Sequence, residues 1–184
     1  MILSLLCASM LAGSPMSEGS RSAGDYYAVR SGSSWSYLSG KDKVSVKVSG
    51  VENWQAHVQV TWGKRSTGGN WRVKEGAWLE RLSGVGEVVL LPASMHIGSQ
   101  WTGPSSLERN GKDLSQFEVV ATDATVQVPA GTFEKCLAVI ETSPSGAMLT
   151  HYWAPNVGKV AVKSNDDFLL KLVSFVAGRR ANGD

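Results

Sequence analysis

The chain has 184 residues, a formal net charge of +2, 42% hydrophobic residues and 18% charged residues. That length suits one domain that buries its core without disulfide staples, and a near-neutral charge leaves no nucleic-acid footprint. Glycine (20) and tryptophan (7) are abundant while charge is scarce, which favours sheet and tight turns over surface helices.

Residues 2–12 read ILSLLCASMLA. This apolar run is too short to span a bilayer, which takes ~20 residues, and it fits the apolar part of a secretory signal peptide. Residues 1–13 are therefore read as a leader. Export is the expected fate, to the periplasm, the outer membrane or the medium. No basic segment precedes the run, so the alternative is a cytoplasmic chain in which this segment packs into the fold. Cys7 would bring membrane association only if lipidated, and the preceding Leu6 is not the small residue usual there. With the leader removed, Cys136 is the remaining cysteine and no intramolecular disulfide can form. Its place in an alternating run with Ala138 and Ile140 points to a small buried hydrophobe.

Residues 14–24, rich in Ser, Gly and Glu, read as a flexible linker. Residues 25–177 form the expected single β domain, and 178–184 a disordered polar tail. Within the domain, YYAVRSGSSWSY (26–37) and LLPASMHIGSQWTG (90–103) share a Gly-Ser-x-Trp step. The echo suggests that each copy starts a run of strands, with Gly allowing a sharp change of direction and Trp35 or Trp101 anchoring the first strand. Two matches this short do not make a repeat protein.

Lys43 to Val48 and Trp54 to Trp62 alternate apolar and polar residues, as half-buried antiparallel strands do. Trp54, Ala56, Val58, Val60 and Trp62 are expected in the core, with His57 and Gln59 outside. Residues 64–70 read as a polar turn. Strands follow at 70–74, 77–82 and 87–91, then at 117–122, 125–128, 135–141 and 148–153. Pro-Ala-Gly, Pro-Ser-Gly and Pro-Asn-Val-Gly break the later runs, and Asn110-Gly111 marks a further turn. Residues 168–176, FLLKLVSFV, are apolar on both faces, with Phe168, Leu170, Leu172 and Val176 expected on one and Leu169, Val173 and Phe175 on the other. The whole predicts an all-β antiparallel meander of 11 to 13 short strands, curled into a half-barrel, barrel or sandwich.

Val128 to Phe133 (VPAGTF), then Cys136-Leu137-Ala138-Val139 and Tyr152-Trp153-Ala154-Pro155-Asn156-Val157-Gly158, resemble a pattern in secreted bacterial β proteins. The chain is similar there to the bacterial secreted and lipoprotein β domains of unknown function, of the DUF3108-like kind. The resemblance runs over residues 26–165. It implies an exported all-β domain and no particular activity. Asn156 stands where that pattern has Gly, and Asn tolerates the left-handed backbone that the turn requires. In the VPAGTF step Pro129 presets a turn and Gly131 is expected at positive φ.

No sequence motif carries catalysis. His57, His96 and His151 stand at no metal-ligand spacing. There is no nucleophile elbow, P-loop or dinucleotide fingerprint. No cofactor, metal or catalytic residue is expected. A carboxylate pair of the glycosidase kind converges only in space and stays open as a hydrolase reading. The favoured expectation is a non-enzymatic component of the bacterial cell envelope, a scaffold or a binder of another envelope protein. The alternative is a binding module, either for an apolar, lipid-like ligand inside the curled sheet or for glycan on exposed tryptophans. Phe168, Leu169, Leu170, Leu172, Val173, Phe175 and Val176 are the candidate ligand or partner surface, because a lone sheet would wet one of their two faces. Trp71, Trp78 and Trp153 are the candidates for glycan stacking.

Overall fold

A computed structural model describes residues 20–26, 29–82, 86–106 and 113–179. The leader, most of the linker, the Asn110-Gly111 turn and the last five residues lie outside these. Arg21–Ser22 (β1) and Ala23–Tyr26 (α1) lead into Ser34–Ser39 (β2), Asp42–Glu52 (β3), Gln55–Trp62 (β4), Arg65–Lys74 (β5), Ala77–Leu82 (β6) and Gly86–Leu91 (β7). Ser94–Met95 (β8) then precedes Gln100–Pro104 (β9), Leu114–Val128 (β10), Gly131–Thr142 (β11), Met148–Ala154 (β12), Gly158–Ser164 (β13) and Asp167–Val176 (β14). Twelve of the strands form one antiparallel sheet in the order β7-β6-β5-β4-β3-β2-β14-β13-β12-β11-β10-β9, curled into a nearly closed barrel.

The barrel is two six-stranded meanders, β2–β7 and β9–β14. The first strand of each lies beside the last strand of the other. The β2–β14 junction is hydrogen-bonded. At the β9–β7 seam the backbones come so close that a Cβ on Gly103 would stand 2.6 Å from the Val89 carbonyl oxygen.

The Gly-Ser-x-Trp echo marks the point where each meander begins, and the hydrogen bonds of the two copies match one for one. Gly32 (φ 85°) and Gly98 (φ 88°) make the same left-handed turn. Ser33 and Ser99 N–H donate to the carbonyls of Arg30 and His96, and their hydroxyls accept from the N–H groups of the same two residues. Gly32 and Gly98 N–H reach across to Val48 and Val119, whose own N–H groups donate back to Ser33 and Ser99.

The inner face follows from the alternation. Val44, Val46, Val48, Ala56 and Val58 are buried, as are Phe117, Val119, Val139 and Leu172. A file of rings crosses the middle of the barrel. Phe175 stacks on Trp35 at 5.4 Å, Trp35 meets Trp71 at 6.5 Å, Trp71 meets Trp78 at 5.4 Å and Trp78 meets Trp153 at 5.3 Å. One end is closed by the N-terminal segment. There β1 pairs with β8, Ala23, Tyr26 and Met95 are fully buried, and Asn156 N–H donates to the Asp25 carbonyl. The segment read as a linker is thus built into the fold from Arg21 onward.

Two strand expectations change. Residues 65–70 are not a turn: β5 pairs along the full length of β4, from Trp62↔Arg65 to Gln55↔Arg72. A polar, glycine-bearing strand satisfies the outer backbone groups of β4 without needing apolar side chains. Trp54 and Trp62 are not core. Trp54 sits in the β3–β4 turn with φ 62°, beside Asn53 at φ 49°, and is 76% exposed. Trp62 lies at the rim, 49% exposed, its indole N–H donating to Asp42 Oδ2 at 3.1 Å. Parity gave the right face, but both positions overrun the barrel wall.

Gly131 opens β11 with φ 133°, as the turn chemistry predicts. Gly131→Ala is expected to destabilise the domain by about 1 kcal/mol or more. Space is not the reason, since no atom lies within 4 Å of the added Cβ. Urea denaturation of the two proteins checks this, and an unchanged midpoint would remove the conformational argument.

Candidate internal site

A cavity of about 140 Å³ lies inside the barrel between the aromatic file and the end opposite the N-terminal plug. Its apolar walls include Leu90, Trp101, Phe117, Val139 and Trp153, and its polar residues are Glu80, Ser105, Ser106, His151 and Lys159.

Two polar residues stand on the apolar face of neighbouring strands. The β11–β12 register sets Glu141 against Leu149 and Val139 against His151. Glu141 and His151 are therefore diagonal neighbours on one face, within reach of each other. His151 Nε2 lies 2.8 Å from Glu141 Oε2, and both side chains are buried. The carboxylate can only accept, so Nε2 carries the proton. Glu141 Oε1 accepts from Ser105 Oγ at 3.2 Å, Ser106 N–H at 2.7 Å and Ser115 Oγ at 2.9 Å. Burial alone would raise the Glu141 pKa, but the His151 bond and the serine donors bring it down to about 2. Burial pushes His151 down to about 4, helped by the Lys159 charge and opposed by Glu141. Near neutral pH the pair is a carboxylate and a neutral imidazole. His151 Nδ1 is then a bare lone pair, and it has no partner among the described residues. The buried indole N–H of Trp101 is also unpartnered among them, while its ring stacks on Phe117 at 5.5 Å.

Lys159 reaches the cavity through an irregularity. The ladder pairs Tyr152 with Ala161 and then Trp153 with Lys159, skipping Val160. This β-bulge turns Lys159 to the inside, a re-aiming that such bulges commonly perform. Its Nζ lies 4.8 Å from the centre of the Trp153 ring. Burial lowers the Lys159 pKa although Glu141 and Glu80 pull it up. Glu80 shifts the other way, raised by burial and held back by a hydrogen bond with Trp71 and by the Lys159 charge.

The candidate glycan platform does not exist on the surface. Trp78 and Trp153 are buried and Trp71 is half-buried, all three in the ring file. Of the candidate apolar surface, Leu172 is fully buried and Phe168, Leu170 and Phe175 pack against the core. Leu169, Val173 and Val176 are exposed. A bulge between Leu172 and Ser174 exchanges the places expected for Phe175 and Val176, sending Phe175 inward onto Trp35. An open groove beside this strand passes Val173. It carries a row of hydroxyls set in register across four strands, Ser174, Ser36, Ser45 and Thr61. Cys136 is buried as expected, its thiol pushed up to about 11 by burial. His57 is exposed and bonds Asn70. Among the described residues, no group of three His, Cys, Asp or Glu side chains is placed to hold a metal, and no helix is long and apolar enough to cross a membrane.

The pair gives the fold a pH dependence. His151 is neutral in the folded barrel down to about 4, against an ordinary 6.5, so the unfolded chain takes up a proton first and stability falls as pH drops through that window. Glu141 acts in the same direction lower down, between its ordinary 4.5 and about 2. The melting temperature is expected to fall steadily as the pH drops from about 7 toward 3. A melting temperature unchanged down to about pH 4 would contradict the burial of a neutral His151.

No family model matches the chain, and no curated protein or solved structure matches it either.

Proposed function

We propose that this protein is a binding barrel for a small polar molecule held in the internal cavity. The observation that carries the reading is the cavity itself, whose lining brings together Glu80, Lys159, His151 and Trp101, the last two each with a ring nitrogen that has no partner among the described residues. Buried polar groups left unpaired cost about 1–3 kcal/mol each, so a molecule that pairs them gains affinity from the same atoms. The ligand must donate a hydrogen bond to Nδ1 and offer an acceptor to the indole N–H. Lys159 favours that acceptor being a carbonyl, a hydroxyl or a carboxylate.

Size supports the same class. An engineered cavity of about 150 Å³ takes up benzene, and the space here is about 140 Å³. A single ring or a short-chain oxygenated compound fits; an acyl chain does not, and it would leave the polar atoms unpaired. The flat walls of Trp101, Phe117 and Trp153 suit a planar ligand. A hydrolase built on two facing carboxylates is less well supported, because both oxygens of Glu141 are already engaged by the protein. The partner-scaffold reading rests on Leu169, Val173 and Val176 on β14, interrupted by Lys171 and Ser174, and offers no chemistry as specific.

Small oxygenated aromatics screened by NMR should perturb the indole N–H signal of Trp101 and the ring of His151. Val139 lines the cavity and is buried, so Val139→Phe should fill the space and abolish those shifts while the spectrum stays that of a folded barrel. Shifts that persist in a folded Val139→Phe protein, or that centre on the outer hydroxyl row, would overturn the assignment.

A further inference from the structure

We propose that Lys159 is a nucleophilic amine that captures small aldehydes inside the barrel as an imine. The inference rests on the cavity reading above and names the substrate class of that site.

Three observations converge on this lysine. The bulge at Tyr152/Trp153 turns a side chain inward that a regular ladder would leave outside. Its amine lies over the Trp153 ring, and among the described residues no carboxylate oxygen comes within 4.0 Å of it. It lines a space of about 140 Å³ in which Leu90, Trp101, Phe117, Val139 and Trp153 stand beside Glu80, His151 and the Ser105-Ser106 pair. A lysine on a barrel surface is hydrated and protonated, and a protonated amine has no lone pair with which to attack. A lysine in an apolar pocket keeps more of its free-amine form. The groups that bear on Lys159 electrostatically are Glu80 on β6, Glu141 on β11 and His151 on β12. Glu141 is held by His151 and the serines, which leaves Glu80 as the carboxyl group able to move protons. Burial favours the protonated form of Glu80 and the free amine of Lys159, the pairing that imine formation uses.

The step balances with no further reactant. The Lys159 lone pair forms a bond to the aldehyde carbon, and the carbonyl π pair moves to oxygen. One amine proton transfers to that oxygen, giving a neutral carbinolamine. The Glu80 carboxyl group protonates the hydroxyl, the C–O bond breaks, and water leaves. The Glu80 carboxylate then takes the remaining N–H proton through the released water, restoring the carboxyl group and leaving a neutral imine.

The test uses the full chain, benzaldehyde as probe and cyanoborohydride to fix any imine as a stable secondary amine, followed by peptide mapping. Each pKa unit of depression multiplies the free amine about tenfold at neutral pH. Lys159 should therefore carry most of the adduct, ahead of the surface lysines, and Lys159→Arg should lose it. Benzyl alcohol, which fits the cavity but has no carbonyl, should bind without reacting and slow the labelling of Lys159. An adduct spread evenly over the surface lysines, with Lys159 unmodified, overturns the proposal. If benzyl alcohol still shifts Trp101 in that case, the cavity reading stands and the imine falls alone. If it shifts nothing, both fall.

Discussion

Glu141→Ala is expected to cost about 3–5 kcal/mol of stability, because it leaves several buried donors unpaired at about 1–3 kcal/mol each. The loss exceeds one hydrogen bond because Glu141 collects four donors: His151 Nε2–H, the Ser105 and Ser115 hydroxyls and the Ser106 N–H. Truncation takes the shared acceptor from all four at once. The Ser105-Ser106 segment would also lose its tie to β11. Glu141→Gln should be milder. Its amide oxygen still accepts from Ser106 and Ser115, and its NH₂ can donate to His151 if the imidazole changes tautomer. That change puts the proton on Nδ1 and turns the cavity's acceptor into a donor. The glutamine variant should therefore stay folded while its ligand preference inverts. Urea denaturation of both variants measures the effect, and a loss below about 1 kcal/mol for the alanine variant would mean that the cluster is not a structural centre.

Much of this site was written in the sequence, in a form that one-dimensional motifs do not catch. Leu149, His151 and Trp153 share a face by simple alternation, and so do Leu137, Val139 and Glu141, although the sequence reading turns Cys136, Ala138 and Ile140 inward and it is the other set that faces the cavity. The Pro-Ser-Gly turn between the two strands makes them a hairpin. Folding that hairpin about residues 144–147 brings Glu141 diagonally across from His151. The signal was two charged-type residues on the apolar face of adjoining strands, not a spacing between ligands. Lys159 was not legible, because its inward aim comes from a bulge that changes parity after Ala161. Phe175 and Val176 were misplaced for the same reason. Alternation is a local rule, and a single extra residue reverses it. The Gly-Ser-x-Trp echo held more than its length promised. A Gly at positive φ, a Ser that bonds both backbone groups three residues back and a Trp leading into the first strand form one device, used twice. What the echo could not convey is that the two meanders join head to tail into a barrel.

Closure of that barrel explains where the tryptophans went, and it makes the last expectation a sharp contrast. Trp153→Ala and Trp78→Ala should each cost about 3–5 kcal/mol, as large-to-small changes at buried aromatic positions do. Trp78 is 2% exposed and Trp153 7%. Each meets the other at 5.3 Å, so either truncation opens a void in the ring file and deprives the remaining indole of an edge contact. Trp153→Ala also removes the surface over which Lys159 lies and enlarges the cavity, so it should alter labelling of that lysine as well as the melting point. Trp54→Ala and Trp62→Ala should do little, within about 0.5 kcal/mol, as exposed substitutions generally do; Trp62 gives up a single exposed bond to Asp42. Chemical denaturation of the four variants separates the two arrangements. If the tryptophans met solvent as a stacking platform, Trp78 and Trp153 would be removable at little cost. In a barrel filled from within, the two lost without consequence are Trp54 and Trp62, the very pair whose alternation most resembled a core.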